Sequence, residues 1–138
     1  MIWKHGKNFL KAISYNMNKN NAVMIYPEAH VWNYYTKIRD FNSSVFKYPI
    51  KENVPAFVVT TTFRKWKMNR PRIVMYVDGP FFADEKLNMK EKMEDLKKKV
   101  KNTMNMRAKE NDIEYIKYVN RKEEEYDKSD VLWKQESV

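Results

Sequence analysis

The chain has 138 residues, 43% of them hydrophobic and 14% aromatic, enough for one domain of ordinary size and too few for two well-buried ones. The absence of cysteine excludes a disulfide framework, a thiolate zinc site and a cysteine nucleophile. The net charge of +9 is uneven: residues 109–138 hold six basic and nine acidic side chains, which leaves 21 basic and nine acidic, or +12, on residues 1–108.

Apolar residues Leu10, Ile13 and Met17 fall at helical spacing and predict a short amphipathic helix over Lys7 to Lys19. The start, MIWKHGKNFLKAI, lacks the apolar core and cleavage site of a signal peptide, and no run approaches the roughly 20 apolar residues of a membrane span. The run AVMIY, residues 22–26, has the pattern of a strand buried on both faces, and a helix followed by such a strand predicts an α/β fold with a partial, mixed or parallel sheet. Residues 27–42 show neither period cleanly and read as a long ordered loop leaving that strand. Ser43 or Ser44 then caps a short helix through Lys51, with Pro49 tolerable only in its first turn.

Val54 to Thr62, rich in β-branched residues, reads as a second strand, and Arg72 to Asp78 as a third. Their hairpin-like link concentrates Arg64, Lys65, Lys67 and Arg70 around Trp66 with no acid among them. A field of this sign attracts phosphate, whether on nucleic acid, on an anionic membrane or on a small substrate. After the turn at Asp78, Gly79 and Pro80, a long helix is expected from about Asp84 to Arg107, with the stripe Met89, Met93, Leu96, Val100 and Met104 facing the core. Residues 113–119 suit a strand or a helix, and the run 121–130 a solvated tail. Trp3, Trp66 and Trp133 read as interfacial or partly buried anchors. With two glycines in all, the chain has no Gly-rich phosphate loop.

The segment Ile25-Tyr26-Pro27-Glu28-Ala29-His30 carries the chemistry. A carboxylate just past the C-terminal end of a strand lies where open α/β sheets bind ligands. By itself such an acid is more often a cap or an ion-pair partner. The segment resembles the third conserved block of the glycerol-phosphate and 1-acyl-glycerol-3-phosphate acyltransferases: an aromatic residue, Pro, Glu, Gly, then Ser or Thr. Downstream the likeness continues through the Lys/Arg-containing loop YYTKIRDF and the short helix SSVFKYPIKEN to VPAFVVTT, which resembles the family's fourth block, Val-Pro entering a core strand, and the two blocks stand at the family's order and spacing. The likeness covers about Lys7 to Met106.

Two departures accompany it. Ala29 and His30 stand where the family usually has Gly and Ser or Thr, as in a subgroup reading Pro-Glu-Ala-His. The family's first block, a His with an Asp five positions later, is absent: His5 is followed at that offset by Leu10 and His30 by Tyr35. In the family that His is the general base on the acceptor hydroxyl, so the resemblance implies an acceptor-binding part without a base. No catalytic residue is therefore expected in this chain.

The resemblance implies a glycerophosphate-acyltransferase-like fold, N-terminally truncated, with the acyltransferase part in residues 1–108 and a charged extension in 109–138. It implies an acyl-CoA or acyl-carrier-protein thioester as donor, a lysophospholipid such as 1-acyl-glycerol-3-phosphate as acceptor, no further cofactor and no metal. Pro27, Glu28, Ala29, His30, Lys37 and Arg39 become the expected substrate contacts. Arg64, Lys65, Trp66, Lys67 and Arg70 become the contacts to an anionic membrane, with the protein cytoplasmic and peripheral on the membrane's inner face. A partner of the chain would be the N-terminal half that bears the His/Asp block, and an uncovered apolar sheet face or edge is expected where upstream strands are missing. Two other readings are a nucleic-acid binder, against which no basic helix or aromatic strand of a known reader is visible, and a non-catalytic interaction module.

Overall fold

The computed structural model describes residues 2–119, with side chains from Gly6 onward except that of Asn69. The charged run 121–130 and the side chains of Trp3 and Trp133 lie outside that description. Helix α1 spans Ile2–Asn18 and α2 spans Lys47–Lys51. A hairpin of β1, Ala56–Lys65, and β2, Pro71–Phe81, follows, and α3 runs over Met89–Ala108. Among the described residues this makes a small α/β fold of three α-helices and one two-stranded antiparallel sheet.

The expected parallel or mixed sheet is thereby corrected. Five residues, Trp66 to Arg70, join the two strands, and a link that short returns the chain only antiparallel, because a parallel neighbour needs a crossover of a dozen residues or more. The ladder is regular from Val58↔Asp78 to Lys65↔Pro71 and shifts register between Ala56 and Val58. Gly79 makes that irregular end possible. Its φ of 136° and the Ala56 carbonyl oxygen, 3.0 Å from where a Cβ would stand, make any other residue strained there.

Residues 22–26 are neither strand nor helix, a second correction. Val23 and Ile25 are half-buried while Ala22, Met24 and Tyr26 face solvent. The segment has the side-chain alternation of a strand but no neighbour to complete a ladder, and a strand exists only by pairing.

The core lies between the hairpin, α3 and the segment leading into α2: Phe41, Phe46, Val58, Leu96, Val100 and Met104, with Ile38, Ile50 and Met93 packed around them. The expected stripe on α3 is buried from Leu96 onward, Met93 is half-buried, and Met89 is exposed. The helix begins at Met89 rather than near Asp84, because Asn88 and Glu91 form a capping box that satisfies each other's backbone N–H. Asn42, not Ser43 or Ser44, caps the 3-10 turn Ser43–Phe46 that leads into α2, and Pro49 sits in the first turn of that helix. Residues 113–119 form neither strand nor helix.

One face of the sheet packs on α3 and buries Val58, Thr60 and Thr62. The opposite face leaves Phe57, Val59, Ile73, Met75 and Val77 exposed. The uncovered apolar sheet face foreseen from the sequence is therefore present. Among the described residues no helix is long and apolar enough to cross a membrane.

Candidate functional site

After the unpaired segment 22–26 the chain turns sharply. The Ala29 N–H donates to the Tyr26 carbonyl (3.2 Å) and the His30 N–H to the Glu28 carbonyl (2.7 Å). Ala29 holds φ at 63°, in the left-handed region that favours glycine. This turn leaves Pro27 and Glu28 partly buried and Ala29 and His30 exposed.

Glu28 and Arg39 close the loop that the turn opens. The Arg39 backbone N–H donates to Glu28 Oε2 (2.9 Å), and the guanidinium Nε lies 3.5 Å from the same oxygen. The guanidinium Nη2 donates to the carbonyls of Glu28 and His30, and its plane rests over the Trp32 ring, 4.7 Å from the centroid. Arg39 is thus occupied by protein partners, whereas Lys37 is exposed. Of the carboxylate, Oε2 is engaged, and Oε1 has no partner among the described residues.

Aromatic packing holds the outer part of the loop. Trp32 stacks on Tyr118 (5.1 Å between centroids) and meets Tyr35 edge-on (4.9 Å). The Tyr118 hydroxyl donates to the Asn33 carbonyl (2.8 Å). Tyr34 lies against Phe63 (5.3 Å) and Tyr115 (4.8 Å). Residues expected to begin a separate charged extension thus pack on the loop.

Asn111, which the sequence reading did not single out, ties the parts together. Its Oδ1 accepts from the Phe63 N–H (2.7 Å), and its Nδ2 donates to the carbonyls of Thr36 (3.1 Å) and Ala108 (2.7 Å). The available signal was an Asn just past a helical stripe, a common way to end a helix. Nothing local marks its reach to residues 75 and 48 positions away.

At the hairpin tip the expected basic group divides. Arg64 donates to Glu110 Oε2 (2.6 Å) and to the Tyr76 hydroxyl (3.1 Å). The bonds it makes to Tyr76 and then to Glu110 raise its pKa above the usual arginine value and keep it charged, and the Glu110 carboxylate balances that charge. Lys65, Lys67 and Arg70 are exposed, and Arg72 lies over the Trp66 ring at 5.3 Å. Met68, at the apex with φ 62°, is almost fully exposed. Asp40, next to Arg39, faces away toward α3, where bonds from Lys101 and the nearby Lys97 hold its carboxyl below the usual range.

Two groups of residues therefore stand at separate places, the Glu28–Arg39 loop and the cationic tip, joined through Asn111 and Phe63. Among the described residues no cluster of three or more His, Asp or Glu is arranged to hold a metal ion. Comparison of the chain with protein-family models, curated proteins and solved structures gives no match.

Proposed function

We propose that this chain binds the acceptor of a glycerolipid acyl transfer, a lysophospholipid of the 1-acyl-glycerol-3-phosphate type. The observation that carries the reading is the convergence of Glu28 with Arg39 around a turn whose left-handed residue, Ala29, occupies the position that is usually Gly in the acyltransferases the sequence resembles. A turn of that shape favours glycine for backbone reasons, so the family pattern and the local geometry agree on one position.

The chemistry follows from the groups left available. Glu28 Oε1 accepts a hydrogen bond from a glycerol hydroxyl, and Lys37 offers its ammonium to the phosphate. Arg39 acts as a positioning residue, fixing the carboxylate through its backbone N–H and holding the loop on Trp32. In the transfer, the acceptor hydroxyl oxygen forms a bond to the thioester carbonyl carbon, the carbon–sulfur bond breaks, and the hydroxyl proton passes through a base to the thiolate. The base is not among these loop residues, so the chain by itself orients the acceptor without moving the proton. The cationic tip suits the anionic membrane in which such an acceptor resides.

Titration of the chain with monomeric 1-acyl-glycerol-3-phosphate, followed by NMR, tests the reading. Binding is expected, with shifts at Ala29 and His30 and with weakened affinity in Lys37→Ala and Glu28→Gln. The chain alone is expected to transfer no acyl group from acyl-CoA. In an enzyme completed with a His/Asp block, Glu28→Ala is expected to reduce transfer strongly. Acyl transfer by the chain alone, or an affinity indifferent to both substitutions, overturns the assignment.

A further inference from the structure

The hairpin has two outer edges, and they differ. On β1, the Phe63 and Lys65 N–H groups point away from β2 and donate to Asn111 and Asp112, and the Asp112 N–H donates to the Phe63 carbonyl. That edge is occupied toward the tip. Because Phe63 points outward, its partner Ile73 belongs to a pair that exchanges no ladder bonds, and the backbone groups of Ile73 point outward on the far side of β2. By alternation the same holds for Met75 and Val77. Among the described residues no strand meets this edge.

These residues also carry the exposed apolar side chains of the open face: Ile73 is 57%, Met75 61% and Val77 67% exposed. Pro71 lacks an N–H and bounds the window on one side, and Gly79 and Pro80 bound it on the other. Between them lie seven residues, Arg72 to Asp78, in regular register.

The window is complementary to itself. When two copies of β2 run antiparallel about a two-fold axis at Met75, Ile73 of each faces Val77 of the other and Met75 faces Met75. All three outward-pointing residues then pair. A slip of two residues in either direction sets Pro71 or Gly79 opposite one of the three and so leaves fewer of them paired with each other. We propose that a second copy of this chain docks on the outer edge of β2 in this register, giving a continuous four-stranded antiparallel sheet. A lipid surface fits less well, since it offers no partners to three outward-facing N–H and C=O pairs. The net charge of +9 opposes association, so added salt strengthens it. The proposal does not rest on the acceptor-site reading.

Sedimentation equilibrium of the full chain tests it. The expected result is a monomer–dimer equilibrium that tightens with salt. Met75→Pro removes an N–H that β1 does not use, so the hairpin is retained while the central pair of intermolecular bonds is lost; dimerisation should weaken about tenfold or more. Met75→Lys should weaken it in the same direction, because it sets two like charges opposite each other at the axis. Because the chain has no cysteine, Met75→Cys places a single thiol at the two-fold axis, and mild oxidation should link it to its counterpart, whereas Lys98→Cys on α3 should not link. A monomer at every concentration, a dimer indifferent to both substitutions, or equal linking at Lys98→Cys overturns the proposal.

Discussion

Glu28 and Arg39, eleven positions apart, are joined through the backbone of one and the side chain of the other: the Arg39 N–H donates to Glu28 Oε2 while its guanidinium spans the carbonyls of Glu28 and His30. An acid and a base that look in the sequence like two substrate contacts thus make one clasp. A carboxylate fixed in this way pays little ordering cost when a ligand hydroxyl arrives.

Removing the guanidinium half of the clasp should loosen the loop. Arg39→Ala is expected to cost about 2 kcal/mol, since it forfeits charge-assisted bonds to two carbonyls and the stacking on Trp32. Urea unfolding measures the loss. A midpoint unchanged from wild type would show that the loop is held by its aromatic packing alone.

The turn at Ala29 gives a prediction of opposite sign. A left-handed alanine carries a penalty of roughly 1–2 kcal/mol, part of which is returned because glycine is more disordered when unfolded. Ala29→Gly should therefore raise stability by about 0.5–1 kcal/mol, read as a higher thermal midpoint. A lower midpoint would mean that the methyl group makes a contact worth more than the strain.

Asp78 on β2 and Arg107 at the end of α3 supply a pH dependence. Arg107 donates through Nε and Nη2 to the two carboxylate oxygens, at 2.9 and 2.6 Å. These bonds hold the Asp78 carboxyl below its usual range against a smaller opposing effect of desolvation. The unfolded aspartate takes up its proton near about pH 3.9. The pair's contribution is thus fully present above that value and is lost as pH falls through the lower folded value. Wild type should exceed Asp78→Asn in stability near neutral pH, and the gap should close progressively below about pH 4. Denaturation at stepped pH follows it, and a gap that stays constant into acid would refute the electrostatic origin.

For the tip, the structure distinguishes cations that the sequence lumps together. Lys67→Glu with Arg70→Glu should reduce sedimentation with anionic vesicles, each exposed charge near the surface contributing on the order of 1 kcal/mol. Arg64→Gln should change it little, because Glu110 already neutralises that guanidinium. Equal binding to neutral vesicles, or tighter binding to duplex DNA at matched salt, would remove the membrane reading of this surface.

How much of this was legible beforehand depends on how local each signal is. The stripe Leu96, Val100, Met104 and the β-branched run Val58 to Thr62 declare their elements through their own residues, and both occur with ends moved by a few positions. Residues 22–26 have the composition of a strand, yet the bonds that make a strand belong to a neighbour, which no local pattern supplies. Glu28 and Arg39 stand out in the sequence, and the structure brings these two together. That Arg39 would turn inward is not legible, since its partners are the backbone carbonyls of Glu28 and His30 in a turn whose left-handed residue, Ala29, is not of a type that advertises a positive φ.

The staple at Asn111 constrains how this chain tolerates insertions and deletions. Asn111 follows α3 by only a few residues and must meet Phe63 and Thr36 at once. One residue added within the helix turns everything after it by about 100° and advances it by about 1.5 Å, which carries the amide away from both. The helix therefore serves as a ruler of fixed length between the capping box at Asn88 and the staple. Changes in length can be absorbed at the apex around Met68, where the chain is exposed, but not between Met89 and Ala108.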